Sequence, residues 1–408
     1  MDLYQPLLEK VLFPTFEAAR GRPTVPLLQF LRGSEHWSLD ALRELQAGLL
    51  RRLVRHAAHA EHYGALLADR GLVPEDFTTV DDVRFLPLLD RDEARRTLDA
   101  RTASVPGPRA VIEQALDCMI PTPGAQPPLA VRYSAEARHW HDATRLRSYG
   151  WAGYRVGMRT LHYWGEPQGG GWLARQRRAL DRRLKRDLHI DCVVRSEYAL
   201  ADAARQLAEF EPEVIIAYAA GAAALARHIN DNGLRTWRDI PVIIAAERLW
   251  PHDRNQIAEA FGPAFETYGS REVMLIGAEC EAHDGLHTAM ENLIVELVVR
   301  EPTGAVRAAR PGEVGEVAIT DLHNLACPLI RYVTGDLAIA RADSRCACGR
   351  GLASIDPIDG RVRGIEPLAA SAPDLRAPAL AGDIPMISAG KRKVVGAAPA
   401  ARRSAMLA

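Results

Sequence analysis

Val214-Ile215-Ile216-Ala217-Tyr218, Val242-Ile243-Ile244-Ala245-Ala246 and Phe265-Glu266-Thr267-Tyr268 are three short apolar runs separated by helical stretches, one from Ala222 to Asp231 and one after Pro251. Strand, helix, strand, helix, strand predicts an α/β fold, a parallel sheet with helical crossovers. In such sheets ligands bind beyond the carboxyl ends of the strands. The run Tyr268-Gly269-Ser270-Arg271-Glu272 lies at such an end and is a site candidate on that ground.

Downstream, from Asn292 to Leu337, the strands are shorter and alternate more, with turns at Pro302-Thr303-Gly304 and Pro311-Gly312. This predicts an antiparallel or barrel-like subdomain. Upstream, Leu42, Leu45, Leu49, Leu50, Leu53, Val54 and Ala57 recur at helical spacing between Leu39 and Arg70, and Gly71 supplies a stop, so a single amphipathic helix is expected there. Arg52, Arg55, His56, His59 and His62 fall on or near its polar face and read as a solvated surface, not a metal site. Beyond Gly360-Arg361 the composition shifts to alanine, proline and a closing basic run, as in a tail without its own core. The chain divides accordingly into a helical segment (1–85), α/β subdomains (86–270), a β-rich subdomain (271–361) and a short tail (362–408), with no internal repeat.

With 408 residues, 48% of them hydrophobic and 25% charged, the chain can bury a large core. A net charge of -1 supplies no field that would gather nucleic acid or an anionic membrane, so a small molecule is the default partner. The opening residues carry no signal peptide pattern, and no stretch reaches the roughly 20 apolar residues of a membrane helix. Cys118, Cys192 and Cys327 are scattered, whereas Cys280, Cys346 and Cys348 sit near histidines, a usage that suits a reducing cytoplasm and a metal better than disulfides.

Chemistry narrows the candidates. Glu272 can reach Mg2+ from the turn after its strand, and Asp336 can accept hydrogen bonds from both hydroxyls of a ribose. Around them stands an ordered series: Tyr268-Gly269-Ser270-Arg271-Glu272, Gly285-Leu286-His287, Gly312-Glu313-Val314-Gly315-Glu316, Pro328-Leu329-Ile330-Arg331-Tyr332-Val333-Thr334-Gly335-Asp336, Cys346-Ala347-Cys348-Gly349-Arg350 and Gly360-Arg361. In this order the motifs resemble the phenylacetate-CoA ligase branch of the adenylate-forming, AMP-binding enzymes. Phe85-Leu86-Pro87-Leu88-Leu89-Asp90-Arg91, Trp151-Ala152-Gly153-Tyr154-Arg155 and Tyr163-Trp164-Gly165 are similar to upstream parts of the same branch, so the resemblance covers roughly residues 40 to 361.

The resemblance implies a large domain of parallel sheets flanked by helices with a small β-barrel-like subdomain, ATP and Mg2+ as cofactors, and a carboxylic acid, aromatic in this branch, as substrate. CoA or another nucleophile would take the acyl group, and a homodimer or an acceptor protein stays open as partner. By position, Ala246 and Glu247 are similar to the family's pair beside the adenine, Tyr268-Gly269-Ser270 to its nucleotide segment, Glu272 to its magnesium carboxylate, Asp336 to its ribose carboxylate, and Arg361 to the arginine before its hinge. Arg271 stands where the family has threonine and either binds phosphate or fills the pocket. Cys280, Cys346 and Cys348 with His287, or His283 as the alternate, resemble a structural zinc set; the other reading is free buried thiols. Trp164, Tyr163 and His162 lie near the acyl pocket by resemblance, or simply in the core.

Two departures set the alternative. The stretch aligned with the phosphate loop, Pro121-Thr122-Pro123-Gly124-Ala125-Gln126-Pro127-Pro128-Leu129, has four prolines without N–H donors, and Thr122 keeps the one hydroxyl. Losing two or three charge-assisted hydrogen bonds at about 1.5 to 3 kcal/mol each costs on the order of a thousandfold in rate. Fewer than fifty residues follow Arg361, so the family's mobile C-terminal lid of about a hundred residues is expected to be largely missing from this sequence. Ile384-Pro385-Met386-Ile387-Ser388-Ala389-Gly390-Lys391 still resembles its terminal segment, making Lys391 either a catalytic cation or part of a solvated basic tail. The alternative to an active ligase is a catalytically impaired nucleotide- or partner-binding scaffold.

Overall fold

The computed structural model describes residues 3–102, 112–114, 131–165, 172–245, 247–361, 386–387 and 391–392. The helices that matter here are α1 (Leu39–Ala57), α2 (Glu61–Asp69), α3 (Arg91–Arg96), α4 (Ala135–Trp151), α5 (Trp172–Lys185), α6 (Glu197–Phe210), α7 (Ala219–Asp231) and α8 (Pro251–Ala260). Twelve strands build one sheet: β1 (Thr160–Tyr163), β2 (Asp187–Ile190), β3 (Val214–Tyr218), β4 (Val242–Ala245), β5 (Ala264–Ser270), β6 (Met274–Glu279), β7 (Leu286–Thr288), β8 (Leu293–Arg300), β9 (Val306–Ala308), β10 (Val314–Asp321), β11 (Tyr332–Ala340) and β12 (Ser354–Arg361). Their spatial order is β9-β8-β10-β11-β12-β7-β6-β5-β4-β3-β1-β2.

The expected parallel core is present: β3, β4 and β5 run parallel, extended outward by β1 and the edge strand β2. Period two sorts its side chains. Ile215, Ala217, Val242 and Ile244 pack with α6, α7 and α8 through Leu207, Ala222, Leu225 and Ile257. Val214, Ile216, Ile243 and Phe265 face the other way, toward Tyr149 of α4 and Ala152. Both faces are covered, which is why these runs lack polar alternation.

The antiparallel part expected after Asn292 is also present, and it is continuous with the parallel part through β5. The first half of that strand pairs parallel with β4, at Ala264, Phe265 and Glu266. Its second half pairs antiparallel with β6, from Thr267 to Ser270. The boundary drawn at residue 270 therefore falls in the tight turn between β5 and β6.

One expectation is corrected. The single helix read over Leu39–Arg70 is two, α1 and α2, separated by Ala58-His59-Ala60. Ala60 has extended backbone, and Gly64 lies so close to the Ala58 carbonyl that an added Cβ would sit 2.8 Å from its oxygen. The bend lets the Tyr63 hydroxyl donate to Pro328 O (3.2 Å) and accept from Ile330 N (3.1 Å). Gly71 does end the second helix, with φ at +62°.

Candidate functional site

The carboxyl end of β5 meets β11. Tyr268, near the end of β5, donates its hydroxyl to Asp336 Oδ2 at 3.1 Å, and Asp336, 7% exposed, is held by its own N–H donating to Thr334 Oγ1 at 3.1 Å. Gly335 turns the chain into this position with φ at +80°. Between Tyr268 and Gly269 the ladder with β6 carries a bulge. An added Cβ at Gly269 would lie 2.3 Å from Met274 O, so the close approach of the two backbones requires glycine. Ser270 Oγ is buried without a hydrogen-bond partner among the described residues.

Glu272, 9% exposed, is fixed from two sides. Arg91 Nη1 donates to its Oε1 at 3.1 Å and the Tyr332 hydroxyl donates to the same oxygen at 3.4 Å. The Tyr133 hydroxyl holds the turn itself, contacting Arg271 O and Glu272 O, the latter at 3.0 Å. Arg91 comes from a distant segment: Leu89 N donates to Arg331 O and Val333 N to Leu89 O, both at 2.9 Å, clamping the Phe85–Arg91 run against β11. Asp90 then caps α3 by accepting from Glu93 N at 2.7 Å. Arg91, Tyr133 and Tyr332 were not among the residues assigned a site role from sequence. The signal for Arg91 was the pair Asp90 and Glu93, three apart, which marks a helix start and puts Arg91 in its first turn.

Arg271 is exposed. Burial pushes the Tyr218 phenol up, Cys192 and Glu247 add to the rise, and the Arg271 guanidinium opposes it, so these four groups share one neighbourhood at the sheet's end. Glu247 is buried, and its Oε2 accepts from Ala220 N at 2.8 Å, holding the start of α7. Thr122 and Ala246 lie outside the described residues, as does the proline-rich loop. Arg361 is paired through its backbone with Asp336, and Lys391 lies in a two-residue strand opposite Ile387. Tyr163 is core, 1% exposed, and Trp164 packs near Tyr218 with ring centroids 6.3 Å apart.

The second cluster lies where β6, β7 and the 346–350 loop meet. Cys280 Sγ is 3.8 Å from Cys346 Sγ, and Cys348 Sγ is 3.3 Å from His287 Nε2. All four donor atoms lie within 4.8 Å of one another. His287 Nδ1 is 3.1 Å from Leu352 O and donates to it, which leaves Nε2 as the lone-pair nitrogen facing the sulfurs. Burial holds the imidazole below its usual range, in the neutral form a metal requires. His283 is elsewhere: it sits on the turn at φ +51°, its Nδ1 3.3 Å from Glu279 and its ring against Phe265.

No family model matches the sequence. Curated relatives do. A phenylacetate-coenzyme A ligase of Thermus thermophilus is 27% identical over 330 residues, 79% of this chain and 71% of that enzyme. One of Pseudomonas putida is 27% identical over 309 residues, 74% of this chain and 67% of that enzyme. Over most of its length the chain is therefore similar to phenylacetate-CoA ligases. Among solved structures, 2-hydroxyisobutyryl-CoA ligase with 2-HIB-AMP and CoA superimposes on this chain with a TM-score of 0.59 at 17% identity, covering 79% of this chain and 68% of that one. Its postadenylation-state structure gives 0.58 at 18% identity and covers 65% of that enzyme's length, a little under two thirds. These likenesses show that the chain shares that ligase's fold, a large sheet flanked by helices. No helix among the described residues is long and apolar enough to cross a membrane.

Proposed function

We propose that this chain is an ATP-dependent ligase that adenylates a carboxylic acid, aromatic as in its curated relatives' names, and passes the acyl group to CoA. The acid's oxygen attacks the α-phosphorus, pyrophosphate leaves, and the CoA sulfur then displaces AMP from the acyl carbon. The observation that carries this reading is the Tyr268–Asp336 hydrogen bond beside Glu272, at the carboxyl ends of the parallel strands. Asp336 takes the ribose hydroxyls, and Tyr268 pins that carboxylate while presenting its ring to the nucleotide. Ser270 Oγ and the Arg271 guanidinium supply a donor and a cation for the charge that develops on the phosphate. Glu247, Gly269 and Arg361 are assigned by resemblance to the nucleotide's surroundings, and Lys391 to the reacting carboxylate.

Mg2+ fits at Glu272 with a reservation built into the geometry, because Arg91 already supplies a cation to Oε1. When bound there it would neutralise phosphate charge; Arg91 orients the carboxylate. Zinc fits the second cluster better. Sulfur–sulfur and sulfur–nitrogen spacings of 3.8 and 3.3 Å are close to the edges of a tetrahedron with metal bonds of about 2.0 to 2.3 Å. Cys280, Cys346, Cys348 and His287 would hold the ion in a closed site that ties β6 and β7 to the 346–350 loop.

The test of the reaction is acid-dependent exchange of pyrophosphate into ATP across a panel of aryl and alkyl carboxylic acids. Exchange with an acid, lost by at least a hundredfold in Asp336→Ala, is expected, since a charged hydrogen-bonding partner contributes about 1.5 to 3 kcal/mol per bond and two bonds are at stake. ATP binding without exchange for any acid would instead favour an impaired scaffold, a reading supported by the four prolines of the 121–129 stretch. For zinc, chelation is expected to lower stability by several kcal/mol in denaturant titrations, because structural zinc contributes on the order of 10 kcal/mol of apparent binding energy in small domains. A chelator without effect on a metal-replete sample sinks the zinc assignment.

A further inference from the structure

A third group of donors lies at the other end of the sheet, far along the strand order from the cysteines. His162 of β1 and His189 of β2 are direct partners in the parallel register. Leu161 and Tyr163 point into the core with α6 and α7, as do Leu188 and Ile190, so His162, Asp187 and His189 share the opposite face by the two-residue period. Their rings stack at 4.4 Å with planes 16° apart, and His162 Nε2 is 3.5 Å from Asp187 Oδ1. One donor atom from each of the three falls within 4.8 Å of the others. His162 Nδ1 is buried without a hydrogen-bond partner among the described residues, and the side chains of His162 and Asp187 keep 14% and 16% exposure, enough for an ion to enter from the sheet edge.

Two imidazoles and a carboxylate drawn from adjacent strands, with no sulfur, form a donor set suited to borderline divalent ions such as Zn2+, Ni2+ or Cu2+, and too nitrogen-rich for Mg2+ or Ca2+. The geometry points to a second metal site at His162, Asp187 and His189, distinct from the Cys280 cluster in ligands and in character. Three protein donors leave at least one coordination position for water or a small anion, whereas three thiolates and an imidazole close the tetrahedron. The ion clips the edge strand β2 to β1, and it exchanges more readily than one held by thiolates. Nothing in this assignment depends on adenylation or on the cysteine cluster.

The test counts metal on the full-length chain after equilibrium dialysis against Zn2+, comparing wild type with His162→Gln/His189→Gln and with the milder His189→Gln. One equivalent per chain fewer in the double variant is expected, whatever the wild-type total. With Co2+ as probe, the thiolate-to-metal absorption of the cysteine cluster should be unchanged while the ligand-field bands of the second ion disappear. On the wild-type chain itself, zinc-edge X-ray absorption should show nitrogen and oxygen ligands added without sulfur as the last equivalent binds. Equal metal content in wild type and both variants would overturn the proposal. So would a last equivalent that enters a sulfur-containing shell.

Discussion

At the scale of single residues, the site depends on Gly269. Its bulge brings Tyr268 to Asp336 while leaving no room for a methyl group beside Met274 O. Gly269→Ala is expected to cost about 1 to 3 kcal/mol through forced backbone shift, read as a lower midpoint in denaturant, and to weaken nucleotide binding as Tyr268 moves. His323 offers a pH reading. Burial holds its imidazole below the usual range, only partly offset by the Glu291 carbonyl and Asp321, and its ring stacks on Trp140 at 3.9 Å. Because its folded pKa lies below the unfolded value of about 6.5, the unfolded chain takes up a proton first as pH falls through that value. Stability should therefore drop as pH is lowered from about 7 toward 5, and His323→Gln should flatten that part of the curve in urea titrations. A curve unchanged by the substitution would remove His323 from the account.

Residue types also set what could be read in advance. The series from Tyr268 to Asp336 was legible because its members are close in sequence and chemically distinctive. Arg91 and Glu272 stand 181 positions apart, and no local pattern announces that two such residues will meet. The choice between His283 and His287 was open because either follows Cys280 around a turn. Strand pairing decides the geometry: His287 lies in β7 directly opposite Ala278 of β6, while His283 occupies the turn itself.

Among elements, the helices and strands from Val214 to Ser270 were legible because fully covered strands leave uninterrupted β-branched runs. The break between α1 and α2 was not, because Ala58-His59-Ala60 contains neither proline nor glycine and alanine favours helix. Tertiary contact overrides that preference, with Gly64 folded onto the Ala58 carbonyl. Packing of α4 against the sheet holds an ion pair at that same level of structure. Arg147 and Glu291 have side chains 0% exposed, joined at 3.0 Å, and Ser34 Oγ donates to the same carboxylate at 2.6 Å. Nearby, Arg350 beside the cysteine cluster reaches Glu35 at 3.1 Å, and Trp151 Nε1 donates to Glu35 at 3.1 Å. Arg147→Ala strands a buried carboxylate and should cost about 3 to 5 kcal/mol in equilibrium unfolding. A loss under about 1 kcal/mol would mean that water or Ser34 suffices for Glu291.

For the molecule as a whole, the seven residues of β5 belong to both halves of the sheet, the first three to the parallel ladder and the last four to the antiparallel one. Anyone wishing to separate the halves, for fragment complementation or for a split reporter, would naturally cut in the turn after Ser270. That cut leaves each fragment with a newly opened edge, the second half of β5 on one and one side of β6 on the other, each offering unpaired N–H and C=O groups to any neighbour. The two pieces would tend to find each other or to aggregate, and the cut would also part Glu272 from Ser270 and Arg271 from the strand that aims it.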